Sequence, residues 1–427
     1  MTWTIWGALL VVLVTIWALI KRYETRLVLL IGGLVMCLMA FDPMAAFHQF
    51  DKSMTTSSLI ISICSSLGFA ACVTMTKCDL HLVSLLTKPL NKLGIMLLPC
   101  CMVVTGIASL AIGSLAALTA AIGPTLVGLM IRAGFRPAMA AAVVISSTLP
   151  NYWSPGSSDN VLVASIAKMP VMDMVLWAAP KTLILSGLSI VFVLAVCLLY
   201  KDYRKGGFFN EAGTPGEAVQ AKLPELPASP SLLKAAAPLL PVVILFVISL
   251  WIPDVNMSVA TAMLLGLIYT MVITRESPAA MTKKFFDGMG NGYGSVIGLI
   301  IAAGVFAAGL RSCGVVALFI EYLKHSSDVA KLGAAFGPYL LGVLTGSGNA
   351  AAFAFNEAVT PHAQEFGMQV HELGFLACVT ATLGRVSSPL AAGVILISGI
   401  AGCSPFDVIK RSCPVMLATI AVLYFML

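Results

Sequence analysis

Long apolar runs, separated by short polar or glycine- and proline-bearing stretches, set the first reading of this chain. They extend from Trp3 to Ile20, Leu27 to Phe41, Ser57 to Met75, Met174 to Tyr200, Ala235 to Ile252, Val259 to Ile273, Gly294 to Leu310 and Val408 to Leu427. A bilayer core about 30 Å thick takes roughly 20 apolar residues per helical crossing, so the runs predict membrane-spanning helices. Barrel strands alternate apolar and polar residues over about ten positions, and no such alternation occurs. The predicted fold class is an all-α polytopic membrane protein. Four stretches rich in Gly, Ser, Thr, Asn and Pro interrupt it at membrane depth: 107–124 and 145–160 in the first half, 344–361 and 380–393 in the second. The first of each pair lies in an apolar stretch whose two arms return to the same face, which predicts a re-entrant hairpin with its tip near the midplane. The second of each pair reads as a transmembrane helix broken in two.

Composition agrees. With 59% hydrophobic and only 10% charged among 427 residues, too little polar surface is available for a soluble globule of this length. The first run reads as a permanent helix and not as a cleaved signal, because its basic cluster (Lys21, Arg22, Arg26) follows the run and no small-residue cleavage pattern intervenes. Placing that cluster inside also puts Lys77, Lys88, Lys92, Arg132, Arg136, the segment 201–207, Arg275, Lys283, Lys284, Lys410 and Arg411 inside. Near the outer face remain Lys52, Lys168, Lys181, Arg311, Lys324 and Lys331, and Arg385 falls within a membrane segment. One topology therefore satisfies the positive-inside rule, with both termini on the outer, periplasmic face. The net charge of +6 needs no nucleic-acid partner to explain it.

The halves repeat. Phe50-Asp51 recurs as Phe286-Asp287, 68–78 resembles 304–314, and Gly113-Ser114 resembles Gly346-Ser347. Thr148, Ser154-Pro155, Asp173 and Pro180 fall on Thr382, Ser388-Pro389, Asp407 and Pro414. Ordered matches at nearly constant offset argue for duplication, and the topology gives the two copies opposite orientation, as in alternating-access transporters. The expected organisation is a first inverted repeat over 1–200, a cytoplasmic linker over 201–233 and a second inverted repeat over 234–427. Two amphipathic strips at equivalent positions, 80–90 and 315–325, read either as arms along the membrane surface or as packing helices.

Non-helical backbone at membrane depth is tolerated only where protein buries it or where it lines a wet cavity. Broken helices expose N-termini, each carrying free N–H groups and roughly half a positive charge, where a carboxylate can dock. Ser, Thr and Asn side chains at the breaks, including Ser114, Thr148, Ser347, Asn349 and Thr382, are suited to hold an anion or a coupling Na⁺. A centred arginine costs about 2.5–3.5 kcal/mol on insertion scales, so Arg385 needs a partner. It is either half of a structural salt bridge to Asp159 or Glu357, or a fork for a substrate carboxylate. The two acids are alternatively coupling groups for a proton or sodium.

The remaining chemistry is sparse. Eleven scattered cysteines have no metal-site spacing and read as small apolar filler. His48, His81, His325, His362 and His371 read as loop or flank residues, with pH sensing as the alternative. There is no H-E-x-x-H, nucleotide-binding loop or G-x-S-x-G sequence, so neither an enzyme nor a bound cofactor is expected beyond a coupling Na⁺ or H⁺.

The stretches TGSGNAAAFAFNE (345–357), TLGRVSSP (382–389), AGCSPFDVIKRSCP (401–414) and AAGVFAAGL (302–310) resemble the DcuC-type C4-dicarboxylate transporter family, within the ion transporter superfamily. So do GSLAALTAAIGPTLVG (113–128) and SPGSSDNVLVASIAKM (154–169), and the likeness extends over nearly the whole chain. The resemblance implies a homodimer with a scaffold part and a mobile transport part, moving succinate, fumarate, malate or aspartate by an elevator-like displacement. Transport would be exchange or ion-coupled, across a bacterial inner membrane. By motif position it implies substrate contacts at Ser114, Thr148, Ser157 and Asp159, and at Ser347, Asn349, Thr382, Arg385 and Ser387. Two departures stand beside this site: Thr382 begins a Thr-Leu-Gly-Arg sequence where Asn-Leu-Gly-Arg is expected, and bulky Asn151-Tyr152-Trp153 precedes the first SPGSSD segment. A monocarboxylate or tricarboxylate transporter, or an anion channel, therefore remains the alternative.

Overall fold

The computed structural model describes residues 2–21, 23–87, 94–204, 227, 229–252, 255, 257–318 and 327–427. Most of the expected linker, and the 319–325 part of the second amphipathic strip, lie outside them. The described residues are helical throughout apart from turns and one isolated antiparallel bridge between Phe135 and Tyr203. Six helices there are long and apolar enough to cross a membrane: Ser57–Met75, Gly94–Ala111, Leu115–Arg132, Val171–Leu199, Pro278–Ser312 and Pro405–Met426. Shorter apolar helices at Trp3–Leu19, Thr25–Met39, Leu240–Trp251, Val259–Thr274 and Ala392–Ala401 join them. Every apolar run of the sequence thus falls on a helix.

The four polar stretches fall where helices stop. Leu97–Ala111 turns through Ile112, Gly113 and Ser114 into Leu115–Arg132, and Ser327–Thr345 turns through Gly346 and Ser347 into Gly348–Ala358. Both turns end on a serine N-cap, Ser114 accepting from the Ala117 N–H (3.5 Å) and Ser347 from the Ala350 N–H (3.3 Å), which satisfies one of the free donors of each new helix. Pro137–Ile145 is separated from Ser158–Ala167 by a segment containing the 3₁₀ turn Leu149–Trp153, and Val370–Val386 is separated from Ala392–Ala401 by 387–391. The order hairpin, broken helix, long final helix occurs in both halves. A rarer feature recurs as well: π-helical turns at Ile60–Cys64 and Tyr293–Ile297, a rare geometry that is frequent at functional sites.

Two groups of closely packed helices meet where Gly298–Ser312 lies on Gly348–Ala358. Thr25–Met39 and Pro43–Met54 lie on Gly298–Ser312, while Ser65–Met75 lies on Pro278–Gly292 and Val259–Thr274. In the other group Leu115–Arg132 packs on Ala392–Ala401, Val171–Leu199 on Pro405–Met426, and Ser327–Thr345 on Val370–Val386. Each contact that includes Ala392–Ala401 or Pro405–Met426 with a first-half helix joins the halves within one group. Close helix approach depends on glycine: a Cβ on Gly384 would lie 2.2 Å from the Tyr339 carbonyl oxygen, and one on Gly342 2.6 Å from the Ala381 carbonyl oxygen. Gly346, at φ +71°, turns the second hairpin tip against the Leu390 backbone, 2.8 Å from where its Cβ would be. A left-handed turn with no room for a side chain leaves glycine as the residue that fits.

Two of the cations that the expected topology puts on one side, Arg136 and Arg411, meet at Asp202. Asp202, fully buried, accepts from Arg411 Nε (2.5 Å) and Nη2 (2.9 Å), and its backbone carbonyl accepts from the Arg136 N–H (2.9 Å). A buried carboxylate satisfied by a bidentate guanidinium ties the 132–136 turn, the end of Val171–Leu199 and the start of Pro405–Met426 together.

Candidate functional site

A cavity of about 500 Å³ lies between the two groups of helices. Its first wall is mostly apolar, from Ile63, Leu67, Phe69 and Val73 of Ser57–Met75 with Val242 and Met263, interrupted by Ser66, Asn291 and Ser295. Two of these wall positions, Ile63 and Ser295, belong to the two π-helical turns. Its second wall is the polar one, where the hairpin tip at 112–114, both broken segments and Asn349 converge.

The polar wall is organised around Tyr152. Its hydroxyl donates to Asp159 Oδ2 at 3.0 Å and is 3.1 Å from Thr382 Oγ1. A phenol has one proton to give, so with that proton on the carboxylate the Thr382 hydroxyl is the donor in the second bond. Tyr152 thus links the broken segment of one half to that of the other. The ring is 2% exposed and meets Phe375 edge-on at 5.6 Å. Asn160 Nδ2 holds the backbone of the break, donating to the carbonyls of Tyr152 (2.7 Å) and Ser154 (3.2 Å). Asp159 sits in the first turn of Ser158–Ala167, where the helix N-terminus favours a negative charge. Its Oδ1 is buried with no hydrogen-bond partner among the described residues.

Arg385 lies in the last turn of Val370–Val386, the end at which a cation is favoured. Among the described residues it has no carboxylate within 4.0 Å, and its buried Nε has no hydrogen-bond partner. A salt bridge from Arg385 to Asp159 or Glu357 is therefore not formed. Glu357 stands elsewhere, at the end of Gly348–Ala358 away from the cavity lining, with its backbone carbonyl accepting from Arg311 Nη1 (3.0 Å). Arg385 and Asp159 are the two charged residues in the described wall of the cavity. Each retains an unmet hydrogen-bonding atom at a buried position, which is costly unless something else satisfies it.

Of the residues singled out in the sequence, Ser114, Thr148, Ser157, Asp159, Asn349, Thr382 and Arg385 line this cavity. Ser347 and Ser387 do not. Ser347 is engaged as the N-cap of the following helix, and the Ser387 hydroxyl donates back to the Leu383 carbonyl at 3.0 Å. Four of the oxygen-bearing residues considered for Na⁺, namely Ser114, Thr148, Asn349 and Thr382, share the wall. Sequence reasoning missed Tyr152, Asn151, Ser66, Asn291 and Ser295. For Tyr152 a signal existed: a buried tyrosine needs a partner for its hydroxyl, and a break flanked by Asp159 supplies one.

The fold matches the crystal structure of the YdaH transporter of Alcanivorax borkumensis, described as having an unusual topology, with a TM-score of 0.62 over 89% of this chain and 86% of that one, at 14% identity. A family model then identifies the group. The model for DcuC, the C4-dicarboxylate anaerobic carrier, matches residues 9–427, and the chain belongs to that family. Among its relatives, the anaerobic C4-dicarboxylate transporter DcuC of Escherichia coli is 27% identical over 380 residues, 86% of this chain and 79% of the relative. A Haemophilus influenzae protein named only as a transporter is 39% identical over 281 residues, 64% of this chain and 99% of the relative. The family is one of carriers, so the chain is a multi-pass membrane transporter and not an enzyme.

Proposed function

We propose that this protein carries C4-dicarboxylates, such as succinate, fumarate, malate and aspartate, with Arg385 holding one carboxylate in the cavity. What supports this most is Arg385 itself, a half-buried guanidinium at the cavity wall whose buried Nε has no hydrogen-bond partner and which has no carboxylate partner among the described residues. The planar fork suits a carboxylate bidentately. The second carboxylate is assigned to neutral donors at the first hairpin tip and at Asn349, next to helix N-termini where anions are favoured.

Charge bookkeeping favours coupling to cations. Arg385 and Asp159 cancel, so a bound dianion leaves the site at −2, and uncompensated charge is expensive at membrane depth. A proton at Asp159, or Na⁺ among Ser114, Thr148, Asn349 and Thr382, reduces that cost; exchange of one dicarboxylate for another is the route that needs no net charge movement.

The mechanism proposed is elevator-like displacement. The polar wall and its helices slide as a unit against the largely apolar wall of the other group, carrying the substrate between the two faces. Recurrent helix order and the paired π-helical turns support an inverted duplication with halves at 1–200 and 234–427. Homodimer assembly, an inner-membrane location and periplasmic termini complete the proposal.

Ligand-dependent unfolding of the purified protein in detergent tests the substrate class. A ligand at a hundred times its dissociation constant stabilises the folded state by about 2.7 kcal/mol. Succinate, fumarate and malate are expected to raise Tm by several degrees, with acetate and citrate inactive at the same concentration. Stabilisation by acetate or citrate but by no C4 acid would move the assignment to another anion.

A further inference from the structure

A second cavity, of about 320 Å³, lies between the Leu97–Ala111 arm of the first hairpin, the 146–153 segment and the Val171–Leu199 helix. Its size falls within the range of small-molecule sites, about 300–1,000 Å³. Gly106, Leu110, Pro150, Trp153, Leu183 and Gly187 are among the residues of its wall, and no charged residue lines it. It is continuous with the outer surface of the bundle, because Val103 and Leu183 in its wall are 51% and 58% exposed. Both stand on helices long and apolar enough to span a membrane, so the medium at its mouth is lipid hydrocarbon.

The polar groups of this crevice are mostly committed. The hydroxyls of Ser147 and Ser186 donate to the carbonyls of Val143 (2.5 Å) and Thr182 (2.6 Å), and that of Ser189 to the Ser146 carbonyl (3.5 Å). Ser146 Oγ is the exception: the residue is 3% exposed, and this atom has no partner among the described residues. The wall therefore fits an uncharged, chiefly alkyl occupant and leaves one donor for an oxygen atom. A space bounded by side chains on one face alone forfeits dispersion contacts, and a flexible alkyl chain supplies them.

The crevice stands back to back with the substrate cavity. With three residues per turn in the 3₁₀ segment, Thr148 and Asn151 share the face toward the polar wall, while Pro150 and Trp153 share the face toward the crevice. Leu110 lines both. We propose that the crevice binds an acyl chain of a membrane phospholipid, seated against Pro150 and Trp153 directly behind the residues that face the substrate. The site is independent of which anion the other cavity takes.

Trp153 is a fixed reporter, since its Nε1 donates to Thr182 Oγ1 at 2.7 Å. Gly187 is the position at which to fill the crevice, because a Cβ there has nothing within 4 Å. The test uses the full chain in detergent with Trp153 as its single tryptophan, titrated with phosphatidylcholine brominated at mid-chain. Saturable quenching of Trp153 is expected, lost in Gly187→Phe and kept in Gly187→Ala. Should Gly187→Phe not purify as folded protein, Gly187→Leu takes its place with the same expected loss. Quenching that rises linearly without saturating, or saturable quenching that the filled variant retains, would overturn the proposal.

Discussion

Replacing Arg385 with alanine is expected to abolish succinate uptake while the protein still folds. Truncating one partner of a buried, charge-assisted pair costs about 2–5 kcal/mol, and each 1.4 kcal/mol is a factor of ten. Uptake should therefore fall at least about thirtyfold at subsaturating succinate. Stability should hold, because the guanidinium has no carboxylate partner among the described residues to leave stranded. Removing it instead deletes a half-buried charge. Lysine keeps the charge but not the planar fork, so Arg385→Lys should restore only a small part of the activity. Uptake by Arg385→Ala within threefold of wild type, at equal amounts of folded protein, would remove Arg385 from the binding site.

The second large effect is expected at Asp159, and it concerns coupling rather than recognition. Asp159→Asn keeps the shape of the side chain and an acceptor for the Tyr152 hydroxyl, but removes the negative charge that a coupling cation needs. Uptake driven by a sodium or proton gradient should fall by at least about tenfold, the equivalent of one hydrogen bond to a charged group at 1.5–3 kcal/mol. Exchange of labelled for unlabelled succinate at equal concentrations requires no gradient and should fall less. Side-by-side measurement in the same vesicles separates the two. Equal losses in both modes, or unchanged gradient dependence, would make Asp159 a structural partner of Tyr152 and nothing more.

Much of the architecture was legible in the chain because hydrocarbon imposes a simple rule. Backbone groups must be satisfied within the helix, so apolar runs such as Val259 to Ile273 become helices, and Gly346-Ser347 or Ser154-Pro155 mark where a helix must stop. The positive-inside rule placed Arg136, the 201–204 segment and Arg411 on one side, and they meet at Asp202. Which helices pack on which was not legible, since that depends on long-range approaches such as Gly342 against Ala381.

Within the site, residue type and spacing located the breaks but not the direction of each side chain. Ser347 and Ser387 look equivalent to their neighbours in sequence, yet one hydroxyl caps a helix and the other bonds to its own preceding turn. Local side-chain-to-backbone bonds of this kind are available to any serine beside a helix end. Tyr152 was hidden for the opposite reason: among Asn151-Tyr152-Trp153 it reads as bulk, and only the fold sets its hydroxyl between Asp159 and Thr382. Its neighbour Trp153 turns away, into the second cavity.

Counterflow in proteoliposomes loaded with unlabelled succinate tests dicarboxylate transport most directly. Labelled succinate outside should accumulate transiently above its equilibrium level, with fumarate or malate inside able to replace succinate and with Arg385→Ala inactive. Wild-type protein that is folded and correctly inserted, yet shows no counterflow with succinate, fumarate, malate or aspartate, would contradict the C4-dicarboxylate assignment.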